Sequence, residues 1–222
     1  MHEILTRPEP HLADDWMFAL FLFVLVVLAW VRVRTPGYFS RLLNMFTNDR
    51  LMRQALQEEN VSLRPDAAIT FCYYLLGALL LVHLSALFGW KTGISSSPLN
   101  FLLFFTGLLS AYSVKPALLR FVGWLVRFRE GIEEYARIIS HFNRVLMLVL
   151  LVPLMLMTYL PIQVAVTLAW VALGLVVSVL IYRLWRGVQA AADARIPLTY
   201  ILFYICTFEF LPLLVFYRVV NP

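Results

Sequence analysis

Residues 145–182 form a run of 38 positions without one Asp, Glu, Lys or Arg. A hydrocarbon layer about 30 Å thick is crossed by roughly 20 apolar residues in a helix, so the run is too long for one crossing and right for two. The tetrapeptide Thr158-Tyr159-Leu160-Pro161 near its centre supplies the turn, because the residue ahead of a proline is driven out of helical conformation. Within lipid every backbone N–H and C=O must be paired inside the chain, which restricts crossings to helices and closed barrels. Barrel strands would appear as alternating segments of about 10 residues, whereas here Leu, Val and Phe stand in solid blocks. With 62% hydrophobic and only 14% charged residues, the expected class is all-α. The chain reads as a polytopic transmembrane helical bundle, one integral membrane domain over residues 1–222.

About six spans are expected, at 16–33, 67–90, 96–116, 144–160, 163–183 and 196–217. Pro65 and Asp66 suit the start of the second helix, and Pro98 the entry to the third. Ahead of Trp16 stand Glu3, Glu9, Asp14 and Asp15 against a single Arg7. A cleavable signal would need a basic region there, so the first helix is expected to be retained. Cys72 and Cys206 both lie in apolar spans without ligand or CxxC spacing and read as small buried hydrophobes.

Basic residues set orientation. Fifteen of the 18 Lys and Arg fall in loops 32–66, 115–144 and 183–195, which leaves Arg7, Lys91 and Arg218 for the opposite side. Those loops are therefore expected in the cytoplasm and both termini in the periplasm. The net charge of +5 calls for no nucleic acid, since these arginines lie where anionic headgroups would be. Arg41, Arg120, Arg127 and Arg137 are expected to face lipid headgroups or a partner.

Two of these loops carry helical periodicity of their own. Phe39, Leu42, Leu43 and Phe46 recur at helical spacing, and Thr47-Asn48-Asp49 could cap a second short helix. In the other loop, Leu118, Phe121, Val122 and Leu125 mark either an interfacial helix or a tilted extension of the third span. Beyond them Ile132, Tyr135, Ile139 and Phe142 form a stripe opposite Glu133, Arg137 and Arg144, which would dock on lipid or on the bundle. His141 beside the stripe reads as a solvated or interfacial residue.

Glu209 is the residue most exposed to physical argument, because it sits near the middle of the last span. An acidic side chain at a helix centre costs about 2.5–3.5 kcal/mol on insertion scales and turns toward protein, a partner or an ion path. Pro212, three residues on, removes a backbone donor and helps build a polar pocket. Two readings compete for Glu209: a hydrogen-bonded packing element, or a site for proton coupling or contact with another subunit. His83, in the outer half of the second span, titrates near neutrality in its unperturbed state; a satisfied core histidine is the simpler reading, with a proton relay to Glu209 the sharper one. Lys115 is a further candidate at the end of the third span. His2, Glu3, His11, Asp14 and Asp15 match no zinc spacing, so no metal is expected. With no HExxH, GxSxG, Walker loop or GxGxxG, neither is an enzyme or a soluble cofactor.

The closing stretch of residues 200–212, Tyr-Ile-Leu-Phe-Tyr-Ile-Cys-Thr-Phe-Glu-Phe-Leu-Pro, resembles the C-terminal signature of a Bacteroidota membrane family catalogued as domain of unknown function 4271. Trp16, Lys115-Pro116, Glu134-Tyr135 and Val152-Pro153-Leu154 extend the likeness over nearly the whole chain. The resemblance implies an inner-membrane location in a bacterium with an outer membrane and six helices. It brings no activity, and it singles out Glu209 and Pro212. The resulting expectation is a non-catalytic accessory or scaffold subunit of an inner-membrane envelope complex, serving protein export or secretion. Its partners would be the lipid bilayer and other inner-membrane proteins. The alternative is a small proton-coupled transporter or channel that uses the intramembrane Glu209, with His83 or Lys115 assisting.

Overall fold

The computed structural model describes residues 14–40, 42, 63–90, 96–126 and 129–193. Five long helices account for nearly all of them: α1 Asp15–Arg34, α2 Leu63–Phe88, α3 Ser97–Val126, α4 Arg129–Tyr159 and α5 Ile162–Asp193. Among the described residues there is no strand. Four segments are long and apolar enough to cross a bilayer: Asp15–Arg34, Pro65–Phe88, Ile139–Tyr159 and Ile162–Trp185. By length and composition this is a membrane protein. α3 lies over the third expected span as one helix, while the sixth, 196–217, falls outside the described residues.

The helix ends follow from local chemistry. α1 begins after Asp14, whose extended backbone stops the helix from reaching further back and whose carboxylate accepts the Trp16 indole N–H at 3.0 Å. It ends at Thr35, where both the amide, at 2.9 Å, and the hydroxyl, at 3.1 Å, donate to the Val31 carbonyl. Pro36 then bars continuation, and Gly37 turns the chain at φ 84°, a conformation that costs glycine nothing. α2 closes on Gly89 at φ 65°, and the Trp90 amide reaches back to Ser85 O at 3.0 Å, which gives the last carbonyls a partner. The hairpin expected at 158–161 forms. Leu160 N–H still bonds Leu156 O at 3.0 Å, and Pro161 O already accepts from Val164 at 2.9 Å, so the turn between α4 and α5 occupies two residues.

α4 absorbs what the sequence divides into a loop helix and a span. From Arg129 to Tyr159 it runs unbroken for 31 residues, about 46 Å at 1.5 Å per residue. The stripe from Ile132 to Phe142 is thus the first part of α4, and its last members, Ile139 and Phe142, are buried in the bundle. α3 likewise continues past Lys115 and Pro116 to Val126, so residues 116–126 extend the third helix. Of the first loop, residues 38–40 and 42 are helical; the rest of that expected surface helix lies outside the described residues.

α2 is the hub: it contacts α1, α3, α4 and α5, while α4 packs most extensively on α5. Of the membrane-crossing windows, 56% of α2 and 50% of α4 are buried, against 22% of α1 and 17% of α5. α5 nevertheless packs closely, because its buried face is Ala165, Ala169 and Ala172. Small residues at helical spacing let two backbones approach where lipid supplies no hydrophobic drive. Phe18, Leu22, Val26, Trp170 and Ile181 point outward, the arrangement that an apolar solvent requires.

Candidate functional site

Two polar links tie α2 to α4, one near each end of the bundle. The parallel course of these two helices brings residues far apart in sequence to the same level. At the end that carries most of the arginines, Asp66 on the first turn of α2 meets Arg144 on α4, with Nη1 at 2.9 Å from Oδ2. The other carboxylate oxygen accepts the Tyr38 hydroxyl at 2.6 Å, which draws in the segment that follows α1. Burial and this hydrogen bond raise the Tyr38 hydroxyl far above its ordinary pKa, so it stays a donor. Arg144 Nε also donates to Thr70 Oγ1 at 3.4 Å, and the Thr70 hydroxyl donates to the Asp66 carbonyl at 2.7 Å. Three chain segments thus converge on one carboxylate.

His141, one turn before Arg144 on α4, donates from Nε2 to the Leu42 carbonyl at 3.1 Å. It anchors the short segment after α1 rather than facing solvent. Above the ion pair, the Tyr73 and Tyr112 hydroxyls lie 2.7 Å apart and Tyr74 packs on Tyr112 with ring centres at 5.3 Å, which joins α2 to α3. Buried Arg183 lies next to Tyr182 on α5, and Tyr182 meets Phe142 edge-on at 5.4 Å. An open cleft of about 450 Å³ adjoins the pair, lined by Asp66, Ala67, Thr70, Phe71, Tyr74, Leu109 and Arg144.

At the other end, His83 is buried. Its Nδ1 lies 2.9 Å from Leu79 O and its Nε2 3.0 Å from Thr158 Oγ1, which itself lies 2.9 Å from Leu154 O. In a neutral ring these three contacts share two protons, because the imidazole and the hydroxyl bring one each. With Nδ1–H on Leu79 O, the Thr158 proton serves either Nε2 or Leu154 O.

The structure therefore builds its polar sites from Asp66, Arg144, Tyr38, Thr70 and Thr158, none of which the sequence marks as a site residue, and from His83, which it does. Glu209, Pro212, Arg41 and Arg127 lie outside the described residues. Lys115 and Arg120 fall on α3 and Arg137 on α4. Among the described residues no group of three or more His, Cys, Asp or Glu side chains could hold a metal ion. Chemically the Asp66 cluster is a clamp beside a mostly apolar cleft: its carboxylate has a partner on each oxygen, and its cation is held by Asp66 and Thr70 and lies beside Tyr38.

A family model described as Domain of unknown function (DUF4271) matches residues 17–220. The chain belongs to that family. No curated protein and no solved structure matches it.

Proposed function

We propose that this DUF4271 protein is a non-catalytic accessory or scaffold subunit of an inner-membrane envelope complex, serving protein export or secretion. In this reading the arginine-rich end faces the cytoplasm, the chain crosses the bilayer six times, and both termini are periplasmic. The carrying observation is how the bundle distributes polarity. Two inward polar links, Asp66–Arg144 and His83–Thr158, lock α2 to α4, while flanking α1 and α5 present long apolar faces. A stiff core with two apolar flanks suits a part that other membrane subunits pack against. Glu209 would then supply an inter-subunit hydrogen bond or ion pair. The test is a mild-detergent pulldown of the tagged protein from its own membranes, with mass spectrometry of stoichiometric partners. A defined set of envelope proteins is expected, depleted at least severalfold in a Glu209→Ala variant. Recovery of the chain alone, or full assembly with Glu209→Ala, would reject the role.

A second reading, a small proton-coupled transporter or channel, draws on His83, whose three contacts would each carry a proton if the ring took up one more. It requires that the purified protein in liposomes move protons along an imposed pH gradient, and that His83→Phe abolish the flux. Inert liposomes would remove it.

A further inference from the structure

The cleft beside Asp66 and Arg144 has features that helix packing alone does not call for. A salt bridge that served only to join α2 to α4 calls for no cavity beside it, and partial exposure alone would be ordinary, since full burial costs desolvation of both charges. Here both partners line an open cavity of about 450 Å³ and keep side-chain exposures of 18% for Arg144 and 28% for Asp66. The cavity walls are apolar and continue to the outer surface: Phe71 is 43% and Leu109 39% exposed. Its depth also matters. Asp66 is the second residue of the segment Pro65–Phe88 and Arg144 the sixth of Ile139–Tyr159, so the pair sits within about 8 Å of the segment ends at 1.5 Å per residue. That is the level at which headgroups meet acyl chains.

We propose that this cleft seats one phospholipid with a zwitterionic ethanolamine headgroup, its phosphate on Arg144 and its ammonium on Asp66, with an acyl chain along Phe71 and Leu109. Charge complementarity selects the headgroup. A guanidinium offers five N–H donors in a planar fork; Nη1 and Nε reach Asp66 and Thr70, and the fork has further donors for a phosphate oxygen. The neighbouring carboxylate repels a second anionic group and attracts an ammonium. A purely anionic glycerol headgroup would set its charge beside Asp66 with no cation of its own to offset it. A free phosphate would leave the Phe71 and Leu109 walls without an occupant. Tyr74 lines the same cavity.

The inference depends on the chain lying in a membrane and is independent of its role as a subunit. It is tested with the full chain, purified in mild detergent, stripped of lipid by extensive washing and offered phosphatidylethanolamine or phosphatidylglycerol of matched acyl chains. Native mass spectrometry then reads the lipid that is retained. One phosphatidylethanolamine per chain is expected, held at least tenfold more strongly than phosphatidylglycerol. Leu109→Trp fills the cleft without touching the ion pair and should abolish that retention. Asp66→Asn should erase the preference between the two lipids. Equal retention of both lipids by the unaltered protein, which is annular lipid only, overturns the proposal. So does undiminished phosphatidylethanolamine binding by Leu109→Trp, a variant that leaves the test intact even if Asp66→Asn does not fold.

Discussion

Asp66→Ala is expected to destabilise the bundle by about 2–3 kcal/mol, read as a lowered unfolding midpoint of the purified protein in detergent. Breaking a fully buried ion pair from one side costs about 3–5 kcal/mol, and exposed pairs contribute about 0–1 kcal/mol. Asp66 and Arg144 stand between these limits, with side-chain exposures of 28% and 18%. The substitution also strips the Tyr38 hydroxyl of its 2.6 Å acceptor, and a donor left unpaired in a partly buried place adds about 1 kcal/mol or more. A double-mutant cycle with Arg144→Ala isolates the pair. If the clamp works as the geometry implies, the double variant loses less than the two single losses combined, by about 1 kcal/mol or more. Additive losses would mean that the contact contributes nothing and that each side chain acts through its own packing. Asp66→Asn separates charge from acceptor, because it keeps an oxygen for Tyr38 while removing the partner of Arg144.

The same pair shows where a linear reading stops. The hairpin at 158–161 was legible because 38 consecutive uncharged residues cannot fit one crossing, and the entries at Pro65 and Pro98 because their local chemistry suits a helix start. Asp66 and Arg144, in contrast, read singly as a helix-start acid and a loop cation. Their partnership depends on α2 and α4 running side by side in the same direction, a fact of packing that no local window contains. Thr158 likewise reads as a turn residue, yet its hydroxyl meets a histidine 75 positions away. Treating residues 132–142 as separate from the following span had another cause. Their charges marked a boundary of polarity, but no Gly or Pro occurs between 132 and 152, so nothing told the backbone to stop. Charge determines which part of a helix enters lipid; it does not end the helix. Glu209 and Pro212, chosen on the cost of a carboxylate in an apolar span, lie outside the described residues, and their tests are biochemical.

Neighbouring positions on α5 should respond in opposite ways to substitution, and the contrast connects packing to function. Ala169 is 1% exposed and Trp170 58%, one turned into the bundle and the other away from it. Ala169→Phe forces a ring into a face shared with Ala165 and Ala172, where the backbones are close because all three side chains are small. Overpacking by a few methylenes costs about 1–3 kcal/mol, and a whole ring exceeds that range, so α5 is expected to separate from the core and the variant to aggregate on solubilisation. Trp170→Ala removes a far larger side chain but should lower the unfolding free energy by only about 0.5–1 kcal/mol, the size of the one aromatic contact it gives up. Phe88 packs edge-on against Trp170 with ring centres at 5.6 Å, and loss of that aromatic contact is the main intramolecular effect expected. The decisive measurement pairs stability with assembly. If α5 offers its outer face to another subunit, Trp170→Ala should stay folded yet recover less of its partners from native membranes, since large aromatics at the centre of an interface carry much of its binding energy. If instead that face meets only lipid, Trp170→Ala will assemble as the unaltered protein does, and the docking surface must be sought on α1, whose exposed Phe18, Leu22 and Val26 form the other apolar flank.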